Sequence, residues 1–180
     1  MKPYHLLYIL FLAVLSGCTG KKANTADLYN QSASLPDTLS FNPLEWKVIG
    51  SSLNKKEKTM ATLYGNDLAV KSARKGTAYP AGSVIALVSW KQKEDERWFG
   101  ARIPDTVLSV ERVSFNGGGN ETAQNGAGKE SAQNGAGKDS VRISYEKYEG
   151  TPLRKNVTDS PSTVKSRIAY LAGRKASVMP

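Results

Sequence analysis

Histidine and cysteine are almost missing from this chain. Each occurs once in 180 residues, as His5 and Cys18, and both fall within the first eighteen positions. Beyond Cys18 no imidazole or thiol remains, which excludes Ser-His-Asp and Cys-His nucleophilic machinery, zinc sites built on His or Cys, and disulfide staples. Whatever chemistry the rest of the chain performs has to use carboxylates, lysine, tyrosine or a bound cofactor. Acidic residues are also outnumbered, 16 against 25 lysines and arginines, for a formal net charge of +9. The longest apolar run, residues 6–15 (LLYILFLAVL), has only ten members, too few to cross a bilayer as a helix.

That run follows a basic start at Lys2 and ends at a small pair, Ser16 and Gly17, directly before Cys18. This is the pattern of a secretory signal. The ending LSGC resembles the bacterial lipobox, in which the cysteine is acylated and becomes the first residue of the mature chain. Residues 1–17 are therefore read as a lipoprotein signal peptide and Cys18 as the lipidation site. The membrane is then a partner through the lipid anchor, and the expected location is the cell envelope. Thr19 carries no acidic retention signal, which favours the outer membrane, facing the periplasm or the cell surface. Cleavage removes a single charged residue, Lys2, leaving a net charge of +8. An exported protein meets no genome, so the basic excess points to anionic lipid or a solvated surface, and nucleic acid is not an expected partner.

Residues 18–40 are polar and lack a helical or strand period, as suits a flexible tether, and a single domain is expected over 41–180. Its first strand is LEWKVIGSSL (44–53). A second, KTMATLY (58–64), places Met60, Thr62 and Tyr64 on one face. In GNDLAVKSARKG the period changes to that of a short amphipathic helix, with Asn66 or Asp67 as its cap and Gly76 at its left-handed end. After a YPAG turn, SVIALVSW (83–90) is apolar at nearly every position, the pattern of a central strand covered on both faces. KQKEDER (91–97) reads as a charged hairpin tip. WFGARIP and TVLSVERVSF read as strand material broken by Pro104. Leu108 and Val110 share one parity while Val113 and Phe115 share the other, which predicts a β-bulge near Glu111.

A tandem repeat follows, ETAQNGAGK (121–129) and ESAQNGAGK (130–138), inside a low-complexity loop over 116–139. Two copies of a Gly, Asn and Ala-rich unit bury too little apolar surface to order themselves, and a solenoid needs at least three. Its GAGK echoes a phosphate loop only superficially, since no strand precedes it and no Ser or Thr follows the lysine. SVRISYEKYEG (140–150) resumes strict alternation and should pair with the strand before the repeat. TDSPSTVKSRIAYLAGRK ends the chain with a capped helix carrying Val164, Ile168, Leu171 and Ala172 on one face. The expected fold class is α+β: a single domain with an antiparallel sheet, a short helix after the second strand and a C-terminal helix.

The order EWKVIGSS, then TMATLYGNDLAVKSARKG, then YPAGSVIALVSWKQKEDERWFGARIP resembles the cytochrome P-460 family over residues 44–115. Similar members show a Trp-containing strand, Gly-Asn before a short helix, a Pro-x-Gly turn, and a Trp-Lys strand leading to Asp-Glu-Arg-Trp. The resemblance implies an exported α+β protein, often a homodimer. It further implies c-type haem and, in the namesake branch, hydroxylamine oxidation with a lysine cross-linked to the haem. The sequence departs at both decisive points. The family attaches haem through Cys-x-x-Cys-His near its C-terminus, and the corresponding SRIAYLAGRKASVMP (166–180) has neither residue type. Leu87 stands where similar sequences have the lysine.

No cofactor, metal ligand or catalytic residue is therefore assigned. Glu94, Asp95 and Glu96 are adjacent, exposed-type residues with no reason for a shifted pKa. Trp46, Trp90 and Trp98 suit core packing or the lining of a pocket for a small flat apolar ligand, with Tyr64, Leu87, Trp90 and Trp98 as the candidate pocket. A binding or accessory module leads. A periplasmic redox protein holding non-covalent haem through Met60, Met179, a Tyr or a Lys is the alternative, and a purely structural envelope component is the third class. Acylation gives the first test: mass spectrometry of the purified protein should find Cys18 as a lipid-modified N-terminus, and Cys18→Ser should release the protein from the membrane.

Overall fold

Apolar alternation and well-placed caps give, in the computed structural model, one antiparallel sheet with two helices, an α+β fold as expected. The structure describes residues 29–37, 39–117 and 141–177. Cys18, the repeat at 121–138 and Met179 lie outside them. The chain divides into two compact units, Met1–Gln31 and Ser32–Pro180, and the second holds the sheet.

Six strands follow one another in chain order across that sheet: β1 (Lys47–Asn54), β2 (Thr59–Gly65), β3 (Val84–Glu94), β4 (Arg102–Gly117), β5 (Val141–Glu149) and β6 (Arg154–Asn156). Each pairs antiparallel with the next. Helix α1 (Asp67–Lys75) follows β2, and α2 (Pro161–Ala172) follows β6. The Asn66 side chain caps α1 by accepting the Ala69 N–H at 3.0 Å, and donates to the Gly82 carbonyl at 2.8 Å, tying the helix to the turn before β3. Gly76 ends α1 at φ +66°, a left-handed conformation that costs glycine nothing. Ser160 caps α2, and Pro161 opens it at a position where a missing N–H does no harm. Among the described residues no helix is long and apolar enough to cross a membrane.

Both faces of the sheet carry a core. On one, α1 and α2 cover Ile49, Leu63, Ile85, Leu87, Val113 and Phe115, with Leu171 of α2 fully buried among them. On the other, Val88, Trp90, Val107 and Val110 are covered by a segment that holds one 3-10 turn, Gln31–Ala33, but no α-helix or strand, and its Ala33, Leu35, Leu39 and Phe41 pack against them together with Met60 and Tyr64. The Trp90 indole N–H donates to the Ala33 carbonyl at 2.9 Å. The compact unit thus begins at Ser32, nine residues ahead of the expected domain start at Phe41, and residues 32–40 act as a strap rather than as tether.

Three other expectations are corrected. KQKEDER is not wholly a tip, because β3 runs on to Glu94 and the turn occupies 95–101. Pro104 does not break the following strand. It lies inside β4 opposite Gln92, in the stretch before Ser109 where β5 has not yet joined, and a proline is tolerated where one side of the strand lacks a ladder. The expected bulge is not at Glu111, since the β4 register with both neighbours is continuous from Ser109 to Ser114. Val110 and Val113 differ in parity because they serve the two opposite cores. The register shifts instead twice, between Ser89 and Trp90, where Leu108 is extra, and between Trp90 and Gln92, so that β4 has two more residues than β3 over this stretch.

The C-terminal tail lies along β1. Ser177 donates its N–H to the Ile49 carbonyl at 2.9 Å and Ala176 donates to Ala73 at 3.4 Å. Gly50 permits this approach, since a β-carbon there would sit 2.5 Å from the Ser177 hydroxyl.

At the opposite side of the fold, Gly117 and Val141 are register partners, so the repeat segment leaves and re-enters the sheet at adjacent points. The closing strands hold this geometry without it. Replacing residues 121–138 by a short turn should leave the melting temperature unchanged or raise stability by at most ~1 kcal/mol of loop entropy. Thermal denaturation of the two forms measures it, and a large loss on shortening would show that the repeat packs.

Candidate functional site

The four residues expected to line one pocket do not converge. Leu87 points to the helix-covered face and is only 4% exposed. Tyr64 and Trp90 point to the strap-covered face. Trp98 lies on neither, because it sits in the β3–β4 turn with 70% of its surface in solvent. Alternation separates Leu87 from Trp90 on one strand, and the extension of β3 to Glu94 carries Trp98 out past the sheet.

Beside Leu87 the helix-covered face holds a buried polar group that the sequence reading missed. Glu111 is the register partner of Leu87 and is 4% exposed. Its carboxylate accepts two hydrogen bonds from the Arg167 guanidinium of α2, at 2.9 and 2.6 Å, and one from the Tyr145 hydroxyl of β5 at 2.7 Å. A buried carboxylate needs such partners, and the fork of arginine satisfies two lone pairs at once. Burial first, and then the hydrogen bond to Glu111, push the Tyr145 phenol far above its ordinary range, so it remains a donor at any physiological pH. Hydrogen bonding to Glu111 likewise raises Arg167. A signal was available: Glu111 shares its parity with Val113 and Phe115, and Arg167 lies within the apolar stripe of Val164, Ile168 and Leu171.

On the strap-covered face, Phe41 is the centre of an aromatic and cationic group. Its ring stacks on Trp46 at 6.0 Å and meets Tyr148 edge-on at 5.9 Å, and the Arg112 guanidinium lies 4.4 Å above it. Arg112 pairs with Glu146, which also accepts from Lys155 at 2.7 Å. Burial alone would raise the Glu146 carboxyl, but the Lys155 hydrogen bond and the two cations together hold it below the ordinary carboxylate range. Tyr64, on the same face, has its phenol raised by burial, partly offset by a hydrogen bond with Thr62. The strap itself encloses an open hollow of about 500 Å³, lined by Leu35, Leu39, Phe41 and Leu44 with Asp37 and Asn42 among its polar members. That volume suits a small organic ligand. Among the described residues no cluster of three or more metal-ligating side chains occurs.

The capped helix after β2, Trp46 directly before β1 and Trp90 on β3 are among the features on which the family resemblance rests. Residues 44–127 match the family model of cytochrome P460. The chain thus carries a cytochrome P460-like domain, and no curated protein matches the chain. In this domain both regions on which haem attachment would depend by the family resemblance contribute to the helix-covered core. Leu87 and Leu171, the latter in the C-terminal region corresponding to the attachment motif, share one buried cluster. Neither side chain offers a nucleophile or a metal ligand, and the space between β3, β4 and α2 is filled by leucine and by the Glu111–Arg167–Tyr145 group. These residues do not fit a covalently attached haem.

The polar group holds α2 on the cytochrome P460-like sheet. Arg167→Ala should destabilise the protein by ~2 kcal/mol, because it leaves the buried Glu111 carboxylate short of donors. Replacing the whole group, Glu111→Leu with Tyr145→Phe and Arg167→Leu, should recover most of that loss, and urea denaturation of both variants reads the difference.

Proposed function

We propose that this protein is a cell-envelope lipoprotein, anchored through an acylated Cys18, whose cytochrome P460-like domain is a binding or accessory module without covalent c-type haem. One observation carries the reading. Leu87, where similar sequences have the cross-linking lysine, is buried in the helix-covered core beside a satisfied ion pair, and the segment 166–180, which corresponds to the attachment motif, has neither Cys nor His and gives that core Leu171.

The seat for a small flat apolar ligand then lies on the other face, in the hollow beside Phe41, where Leu35, Leu39 and Leu44 supply apolar walls and Asp37 and Asn42 supply polar contacts. Tyr64 and Trp90 belong to the core that supports this hollow from below. The homodimer implied by the family resemblance is part of the same proposal. The alternative, a redox protein with non-covalent haem, would rely on Met60, which packs against the strap-side core, on Met179, which lies outside the described residues, or on a Tyr or a Lys.

Expression with ample haem, followed by denaturing electrophoresis and a haem peroxidase stain, should give no stained band at the size of the mature chain. A stained band overturns the proposal, and a native pigment lost on denaturation moves the reading to the redox alternative. For the binding role, protoporphyrin IX serves as the flat probe. At a hundred times its dissociation constant it should stabilise the fold by about 2.7 kcal/mol. Leu44→Glu, at an exposed position of the hollow wall, should reduce that effect while leaving the melting temperature of the free protein unchanged.

A further inference from the structure

The β3–β4 turn presents two large aromatic side chains to solvent, side by side. Trp98 is 70% exposed and Phe99 fully so, and they sit at the outermost point of the longest hairpin in the sheet. Neither touches a core cluster, and nothing in the cytochrome P460-like site uses them. Adjacent exposed Trp and Phe are costly in water and mark a surface that meets something apolar.

The position of the turn says what that is. The compact unit begins at Ser32, and the Ser32 hydroxyl donates to Asp105 at 3.2 Å, three residues past the start of β4. The chain therefore enters the domain at the same end of the sheet as Trp98 and Phe99. Fourteen residues separate Cys18 from Ser32, which can span at most about 50 Å. If Cys18 bears lipid, the domain stays within that distance of the bilayer, and the end where the tether joins is free to face it.

The surrounding charges agree. The β1–β2 turn reaches the same end, where the Gln92 N–H donates to the Lys58 carbonyl at 2.9 Å, and it adds Lys55, Lys56 and Lys58. The acidic residues there are fewer and partly engaged: Glu94 pairs with Arg102 at 3.0 Å, Asp95 accepts the Arg97 N–H at 2.8 Å and Asp105 faces Lys93 at 3.8 Å, while Glu57 and Glu96 are the other two carboxylates, five in all against the seven cations Lys55, Lys56, Lys58, Lys91, Lys93, Arg97 and Arg102. An aromatic tip at an end of the sheet with a modest excess of lysine and arginine over carboxylates suits a membrane-interface anchor, in which tryptophan sits at headgroup depth and cations meet anionic lipid.

We infer that Trp98 and Phe99 insert into the interface of the membrane that carries the lipid anchor, fixing the sheet end-on to the bilayer. The inference rests on the lipoprotein reading for its geometry, and the two fail separately. The full-length protein is reconstituted into vesicles of phosphatidylethanolamine and phosphatidylglycerol with brominated acyl chains, which quench tryptophan only at the interface. Part of the emission should be lost, and Trp98→Ser should abolish that loss without changing the melting temperature. Phe99→Ser should weaken the quenching while Trp98 still reports it. Trp90 is buried and bonded to Ala33, so it serves as an internal reference.

Quenching that persists in Trp98→Ser, or its absence in the unaltered chain, overturns the inference. Cross-linking from position 98 to a second copy of the chain would assign the tip to self-association instead and overturn it equally. Mass spectrometry of the N-terminal peptide reads the anchor independently. An unmodified Cys18 with Trp98 still quenched sinks the lipoprotein reading and leaves the tip standing, whereas a lipidated Cys18 with Trp98 unquenched does the reverse.

Discussion

A strand that is apolar at five consecutive positions cannot turn either face to water, and β3, with Val84, Ile85, Ala86, Leu87 and Val88, is such a strand. Everything around it answers that constraint. The two helices cover one face, as their amphipathic patterns require. No third α-helix exists among the described residues to cover the other, so a strap of largely irregular chain that follows the 3-10 turn Gln31–Ala33 does so, with the Trp90 indole bonded to the Ala33 carbonyl. The strap is polar in overall composition, and a few apolar side chains, Leu35, Leu39 and Phe41, suffice because they land directly over the gap.

The same constraint shapes what the domain can do. With the helix-covered face closed by Leu87, Leu171 and the Glu111 ion pair, a bound group has no room between sheet and α2. Irregular backbone on the opposite face packs less completely, and that is where the hollow lies. A buried ion pair contributes little net stability compared with an apolar filling of equal volume, but it is directional. Two hydrogen bonds from Arg167 to a carboxylate that Tyr145 of β5 also holds fix the position of α2 on the sheet, where leucine contacts alone would allow it to slide.

Much of this was legible in the sequence because the relevant signals are local. The caps at Asn66 and Ser160, the left-handed glycine at 76, the alternation in β2 and β5 and the unbroken apolar run of β3 each specify their own element. What was misread depends on chain neighbours that sequence spacing does not reveal. Pro104 looked like a break because the absence of β5 beside that part of β4 is a fact of topology. The parity change at Val110 looked like a bulge because the two covered faces expected of the central strand were not extended to its neighbour β4. Short β6 escaped notice since three residues, Arg154–Asn156, carry no alternation to detect. The candidate pocket failed for a related reason. Tyr64, Leu87, Trp90 and Trp98 share a character but are divided among two faces and a turn, and residue type does not say which face a side chain takes.

The tail that runs from Gly173 to Ser177 has a meaning beyond the stability of one molecule. A six-stranded sheet has two open rims, each offering unpaired amides and carbonyls to any strand that passes. Here β6 is only three residues long, and the tail's bond to Ile49, made possible by Gly50, occupies the rim at β1. For a domain confined to a membrane surface, as proposed, neighbouring copies meet in two dimensions and at high local density, in similar orientations. Under those conditions an uncovered rim would be a template for strand addition between copies, and the few residues that close it help to keep a crowded layer of such domains from zipping into an aggregate.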